Sequence, residues 1–318
     1  MDSERIMLSI LVPTYNHEKY IVEALDSVLA QNTQYTYEIL VGDDCSTDGT
    51  QSVLKQYEKE HENRLQVIYR DHNISKEAIG NGLDLRLRAK GKYCIMLEGD
   101  DYWIDPNKIQ EQITFLETHP EYVAVAHNCI VVDQNSNPVH EEYPQCKDNE
   151  YTLKHFSRGI LPGQTATVMF KNWIKTPFFD TSLFEKRLSP SDQIIYFSFI
   201  THGKIYCIQK VMSAYRHIVK GGSSYSANTV ADFARDFEWH RAVLEYSYKI
   251  NHPEAERYSE MMLLLSIRHA IMSKRISFIE GIKCLRCIKH KCRALYEAAL
   301  RDFERLENKK DVEECADE

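Results

Sequence analysis

Over roughly the first 130 residues, the spacing of apolar positions switches repeatedly between two periods. Met7 to Val12 is a short apolar run closed by Pro13, which predicts a buried strand. From His17 to Gln31 the residues Tyr20, Ile21, Ala24, Leu25, Val28 and Leu29 recur at helical spacing. Tyr37 to Val41 predicts a second strand, after which Ser46 and Asp48 offer N-cap oxygens to a helix carrying Val53, Leu54 and Tyr57. A third strand over Leu65 to Tyr69 leads into a helix with Ile79, Leu83 and Leu87, and Gly91 falls where a helix C-cap is expected. Lys92 to Leu97 reads as a fourth strand, and residues 107–118 as a further helix after Asp105-Pro106.

Strand–helix alternation of this kind predicts an α/β fold, with a mostly parallel sheet flanked by helices on both faces. Further on, Tyr122 to Val132, Ala166 to Phe170 and Lys204 to Tyr215 read as strands, and Pro190 to Ile200 as the start of a helix. Gly221-Gly222-Ser223-Ser224 breaks both composition and period. From about 230 to 308 the pattern is helical throughout, and Lys309 to Glu318 is a frayed acidic tail. Two parts follow, 1–225 and an all-helical 226–318.

Composition narrows the functional classes. The 318 residues are 43% hydrophobic and 27% charged, an ordinary globular balance. A net charge of −8 disfavours a general nucleic-acid partner. The nine cysteines are odd in number and mostly set in apolar runs, which suits reduced thiols in a cytoplasmic protein. The apolar run after Arg5 is too short for a signal peptide, and no stretch approaches ~18 uninterrupted apolar residues, so any membrane contact is expected to be peripheral, at the inner face.

Ligands of open parallel sheets bind beyond the carboxyl ends of the strands. Two acidic clusters fall at such ends: Asp43-Asp44 after the second strand and Asp100-Asp101 after the fourth. Adjacent carboxylates at a sheet end repel each other. A divalent cation removes that conflict, and oxygen ligands select Mg²⁺ or Mn²⁺ with substrate phosphates completing the shell. A solvated turn is the plainer alternative for the same residues. Pro13-Thr14-Tyr15-Asn16 holds the corresponding end of the first strand, so three strand ends carry polar residues around one crevice.

With these residues in place, the chain resembles the inverting family 2 glycosyltransferases of bacterial type, which have the GT-A (Rossmann-like) fold. Residues 8–16 (LSILVPTYN) are similar to their opening strand, 41–50 (VGDDCSTDGT) to the nucleotide-contacting loop, and 91–103 (GKYCIMLEGDDYW) to the strand leading to the acidic motif. Cys45 stands where glycine is common in that family, and Glu98-Gly99-Asp100-Asp101 replaces a strict Asp-x-Asp. The resemblance covers about 1–225. It implies that Thr14 and Tyr15 line the base and ribose, that Asp44 accepts a hydrogen bond from the base, usually uracil, and that Lys76 approaches the base or diphosphate. It further implies that Asp100 contacts the ribose or the water shell of the metal, and that Asp101 binds the metal bridging the diphosphate.

The segment 188–196 (LSPSDQIIY) is similar to the one that supplies the general base, which makes Asp192 the matching carboxylate; an acid in a first helical turn is also favoured by the helix dipole alone. Tyr215-Arg216-His217 resembles the end of the catalytic domain, with His217 a candidate metal ligand, and Gly221-Gly222 would form either a lid or a linker. His127-Asn128 could line an acceptor pocket or be satisfied core polars. Cys284, Cys287, His290 and Cys292 have the makings of a zinc set, but an unbroken helix does not bring such ligands together. The basic stretch Lys283 to Arg293 is a solvated face or a contact for anionic lipid.

The expected activity is therefore metal-dependent sugar transfer from a nucleotide-diphosphate sugar to an acceptor hydroxyl, with Mn²⁺ or Mg²⁺ as cofactor. The acceptor is a glycan, a lipid-linked sugar or a protein, in surface polysaccharide or glycoconjugate synthesis. The helical part is a candidate for acceptor binding, homodimerisation or membrane-surface contact. A nucleotidyltransferase is the rival enzyme class, although it usually carries a Gly-rich basic loop where Pro13 to His17 stand. A non-catalytic sugar-nucleotide module is the other alternative.

Overall fold

Seven residues, Leu8–Thr14, form strand β1, buried along its length except at Pro13. The computed structural model describes residues 5–75, 77, 80–173, 191–217, 233–286, 289 and 293–314. By internal packing the chain divides into two units, Met1–Asn228 and Thr229–Glu318.

In the first unit, β1 pairs in parallel with β2 (Tyr37–Asp43), and β2 with β3 (Gln66–Tyr69). On its other side β1 takes β4 (Tyr93–Met96), again parallel. Parallel neighbours need crossover connections. These are α1 (Ile21–Leu29), α2 (Thr50–Glu60) and α3 (Asn81–Arg88), with α4 (Lys108–Thr118) farther on. Side chains alternate across a strand, so a strand buried on both faces reads as a continuous apolar run. Leu8, Ile10 and Val12 of β1, with Ile39, Val41, Tyr93, Ile95 and Leu97, join residues of α1, α2 and α4 in one core cluster. The intervening Leu11, Leu40 and Met96 are buried as well, and α3 packs over β1 and β2.

Five more strands complete the sheet: β5 (Tyr102–Trp103), β6 (Tyr122–Val132), β7 (Glu150–Tyr151), β8 (Met169–Lys171) and β9 (Lys204–Arg216). The order is β3-β2-β1-β4-β8-β6-β9-β5, with β7 also on β9. Here β8 runs antiparallel to β4 and β6, β5 and β7 run antiparallel to β9, and β6 pairs with β9 in parallel. The first half of the sheet is thus the parallel array that the alternation predicts, and antiparallel strands extend it. Two short helices, α5 (Leu153–Phe156) and α6 (Ser191–Ile200), lie in this half.

Two local expectations change. The strand expected over Ala166 to Phe170 begins only at Met169, because Thr165–Thr167 winds into a 3₁₀ turn whose Ala166 N–H is capped by the Gln164 side chain. Gly91 is not a helix cap: α3 ends at Arg88 and Ala89 takes the C-cap position. Gly91 is instead a point of close approach, where a Cβ would lie 2.5 Å from the Ser9 nitrogen and 2.7 Å from the Leu8 carbonyl carbon. The Ser9 hydroxyl accepts from Gly91 N at 2.8 Å and donates to Glu38 at 2.6 Å, which pins this turn to β1.

The described residues of the second unit carry four helices, in line with the all-helical region expected: α7 (Phe233–Lys249), α8 (Pro253–Met272), α9 (Phe278–Leu285) and α10 (Arg293–Glu314). His252 and Pro253 start α8, and a Ser277–Glu280 capping box starts α9. Leu244, Leu263, Ile267, Ile271, Leu285 and Phe303 form its core. The break after Leu285 removes the unbroken helix on which the dismissal of a zinc site rested; Cys284 packs against this core, while Cys287, His290 and Cys292 lie outside the described residues. No helix among the described residues is long and apolar enough to cross a membrane.

Gly91→Ala should destabilise the protein by about 1–3 kcal/mol, since the neighbours of the added methyl are backbone atoms that cannot rotate away. A lowered urea midpoint at unchanged slope is the expected result, and an unchanged midpoint would show that this contact does not set the β1–β4 spacing.

Candidate active site

The register of β1 against β2 sets Thr14 beside Asp43, and β4 runs alongside β1 up to Met96 opposite Leu11. Three loops therefore leave the sheet at one edge, and their polar residues lace them together. Asp44 N donates to Thr14 O at 3.0 Å, and Gly99 N to Pro13 O at 3.1 Å. Asn16 N reaches Ser46 Oγ at 3.0 Å, Thr47 N reaches Asn16 Oδ1 at 2.8 Å, and His17 N reaches Thr50 Oγ1 at 2.9 Å. Glu18 closes the set: its N–H donates to Asp48 Oδ2 and its carboxylate accepts from Gly49 N. Ser46, expected as a helix cap, serves the first loop instead, and the N-cap of α2 is Gly49, with no side-chain cap; Asp48, one residue earlier, accepts from Thr50 N at 3.0 Å in the turn that leads into the helix.

Asn16 and Cys45 turn these loops with φ of 58° and 61°. Asparagine tolerates that left-handed region; cysteine is rarely found there. The conformation supplies the reason glycine suits position 45.

Asp44 is buried, and its Oδ1 accepts from Ile74 N at 2.8 Å while its carbonyl accepts from the Asn73 amide. Arg70 Nε stands 4.0 Å from Oδ1, with its guanidinium held by Asn81 and Asp84. Asp43, next to it, receives Ser46 N and Gln51 Nε2 on Oδ2, and its buried Oδ1 has no partner. Thr14 is buried, with its hydroxyl in a hydrogen bond to His17 Nδ1 at 3.2 Å. Tyr15 is half-buried beside it, and Lys76 lies outside the described residues.

The acidic turn is tightly built. A Cβ on Gly99 would meet Thr14 Oγ1 at 2.7 Å and His17 Nδ1 at 2.9 Å, so only glycine lets the turn pass the β1 loop this closely. The two aspartates then part. Asp101 is 1% exposed, its Oδ1 accepting from Arg216 N at 2.8 Å and its Oδ2 from Gln164 Nε2 at 2.7 Å. Burial, then the charges of Asp100 and Glu98, push its carboxyl well above the usual aspartate range. The Gln164 amide also donates to Glu98 Oε2 at 3.2 Å, so it bridges two acids that repel each other. Asp100 keeps 23% of its side chain exposed, with Oδ2 at 3.7 Å from His17 Nε2. That nitrogen is buried and has no hydrogen-bond partner.

Arg216 ties this turn to the rest of the unit. Its Nε donates to Asp100 O at 2.8 Å, Nη1 to Asp133 O and Ser136 Oγ, and Nη2 to Glu23 at 2.6 Å. Its guanidinium carbon sits 4.5 Å from the Tyr20 ring centroid. His217 follows, with Nδ1 at 2.6 Å from Glu141, which leaves only Nε2 for a cation.

The predicted residues thus fall into groups. Thr14, Asp44, Asp100 and Asp101 come together at adjoining strand ends. Asp192 sits in the first turn of α6, its side chain outside the description, and Tyr196 of that helix donates to Gly163 O beside Gln164. Gly221 and Gly222 lie outside the described residues. His127 is fully buried with Nε2 unpartnered, so it does not line an open pocket. Sequence reasoning passed over His17, Gln164 and Arg216. Only Arg216 carried a signal, by standing in the segment 215–217.

Residues 9–179 match the family described as glycosyl transferase family 2. An uncharacterized protein of Mycobacterium tuberculosis is 29% identical over 222 residues, which is 67% of this chain and 60% of that protein's length. The putative teichuronic acid biosynthesis glycosyltransferase TuaG of Bacillus subtilis is 38% identical over 116 residues, 36% of this chain and 44% of that protein. The crystal structure of Staphylococcus aureus TarS 1–349 in complex with UDP-GlcNAc superposes with a TM-score of 0.58 at 18% identity, covering 96% of this chain and 92% of that one, so the two share the GT-A fold. A family match that spans more than half of the residues and takes in all three laced strand ends has one consequence: this chain belongs to glycosyl transferase family 2.

Proposed function

We propose that the protein transfers a sugar from a uridine diphosphate sugar to an acceptor hydroxyl, in one inverting displacement, at the crevice between Asp44 and Asp100. The observation that carries this is the convergence of Asp44, His17 and Asp100 on adjoining strand ends, with polar atoms left over. Asp44 has one oxygen fixed by Ile74 N, which orients the other to accept from a base N–H. TarS was solved with UDP-GlcNAc and is named a poly(ribitol-phosphate) beta-N-acetylglucosaminyltransferase, and TuaG is named for teichuronic acid biosynthesis. The TarS complex favours a uridine donor, and the two names favour a polymeric acceptor of the surface-polysaccharide kind.

A divalent cation, Mn²⁺ or Mg²⁺, fits the acidic turn. Three carboxylates stand within four residues, and His17 Nε2, buried and without a hydrogen-bond partner, faces Asp100 Oδ2 at 3.7 Å. Among the described residues no three His, Cys, Asp or Glu side chains form a cation cage, which suits an ion that draws its remaining ligands from a diphosphate. When bound, such an ion neutralises the charge of the leaving diphosphate. We assign Asp100 to it rather than Asp101, whose oxygens each already accept a hydrogen bond inside the protein. Asp101 holds Gln164 and the end of β9 in place, and Asp192 takes the acceptor proton as general base.

Four outcomes test this. Uridine nucleotides with Mn²⁺ should raise the melting temperature, by about 2.7 kcal/mol of stabilisation at a hundredfold excess over Kd. If no uridine nucleotide shifts the melt, the donor assignment fails. Asp100→Ala should abolish the Mn²⁺-dependent part of that shift while leaving the apo melt nearly unchanged. Asp101→Ala should lower the apo stability by about 1–3 kcal/mol, because it strands two buried donors. The reverse pattern would return the metal to Asp101. Asp192→Ala should keep nucleotide binding and lower kcat by about 10²–10⁴-fold; unchanged turnover would remove it as the base.

A further inference from the structure

The second unit carries a concentrated charge of the opposite sign to the whole. The chain's net charge is −8, yet from Lys274 to Arg293 there are seven Lys and Arg residues and one acid. Lys274, Arg275, Lys283, Arg286 and Lys289 are all exposed, as is Arg293, which pairs with Glu297 at 2.9 Å. The lone acid, Glu280, is turned back on its own helix: its Oε2 accepts from both Ser277 N and Ser277 Oγ at 2.8 Å. It caps α9 and, as a carboxylate, offsets only one of these cations, the neighbouring Lys283.

Apolar side chains stand among these charges. Ile279 is 67% exposed and Met272 51%, the two most exposed large hydrophobics in the molecule's described part. Both lie outside the packed core of the unit. In α9 that core is served by Gly281, Ile282 and Leu285, whereas Ile279, Lys283 and Arg286 are spaced four and three apart and share the opposite stripe. Short amphipathic helices that lie on membranes have this composition, with apolar residues entering the headgroup boundary and Lys or Arg meeting lipid phosphate.

We propose that the α9 face, with the α8–α9 turn beside it, docks on an anionic phospholipid surface. Charge complementarity selects this occupant: a second copy of the same basic face would repel itself, and a neutral protein surface gives no use to Lys274, Arg275, Lys283, Arg286 and Lys289 exposed together. Contact at the surface is enough, because no described helix is apolar enough to span a bilayer. The docking is independent of the reaction assigned above, since it is measured without donor or acceptor.

The test is flotation of the full-length protein with vesicles of phosphatidylcholine alone or mixed with phosphatidylglycerol, over a salt series. Partition onto the anionic vesicles only, weakening as salt screens the charges, is expected. Lys283→Ala with Arg286→Ala should reduce partition roughly twenty-fivefold, about fivefold per residue. Ile279→Ser should reduce it further with no change in the melt. Equal partition onto neutral vesicles, no partition onto anionic ones, or indifference to the paired substitution would overturn the proposal. So would binding to soluble polyphosphate as tight as to vesicles together with indifference to Ile279→Ser, since that pair of results describes a site for a dissolved polyanion. Should the paired variant melt early, Lys283→Ala alone and the salt series decide the question.

Discussion

Burying a carboxylate costs several kcal/mol unless its oxygens are hydrogen-bonded. Asp101 meets that condition with donors from two distant places, Arg216 N at the end of β9 and Gln164 Nε2 ahead of β8. Much of the site follows from this one requirement. Gln164 is fixed, and its second amide hydrogen steadies Glu98. The Arg216 backbone is fixed as well, so its guanidinium can reach Asp100 O, Asp133, Ser136 and Glu23 at once. Asp100, with its backbone held from both sides, is left to turn its side chain toward His17. Adjacent acids that look alike in the sequence thereby separate into one that builds the site and one that faces it.

The loops after β1 and β2 obey a related constraint. A strand-to-helix turn leaves backbone N–H groups that water or side chains must satisfy. Here each loop satisfies the other: Ser46, Asp48 and Thr50 serve residues 16–18, and Asn16 and Glu18 serve residues 47–49. The polar motif residues are thus largely structural, and what remains around the crevice is the second oxygen of Asp44, the unpartnered Asp43 Oδ1 and His17 Nε2, and the open side of Asp100. That rigidity is useful for a donor site, because groups held before binding need no ordering when the nucleotide arrives.

In the helical unit the same economy of partners has a different effect. The capping box at Ser277 fixes the start of α9 and holds Glu280 against its own helix, where it offsets a single cation, Lys283. A basic face with exposed Ile279 remains, of a kind that suits a flat anionic surface better than a pocket.

From the sequence alone, the parallel half of the sheet was legible, because strands buried on both faces must be apolar at every position and helices on the sheet only on one stripe. The strand-end location of Asp44 and Asp100 followed from the same periodicity. The antiparallel strands β5, β7 and β8 were not legible, or only in part, being two or three residues long and too short to show a period. Nor did periodicity show that Gly91 answers to a neighbouring strand, that His17 and Gln164 belong to the site, or which of two adjacent aspartates faces outward. Those properties depend on contacts between residues as far apart as Asp101 and Arg216, and local spacing carries no information about them. The sequence by itself determined which chemistry was present and at which edge of the sheet. The tertiary structure decided which atoms of it are already engaged, because hydrogen bonds across the fold choose among side chains that composition and period treat as equal.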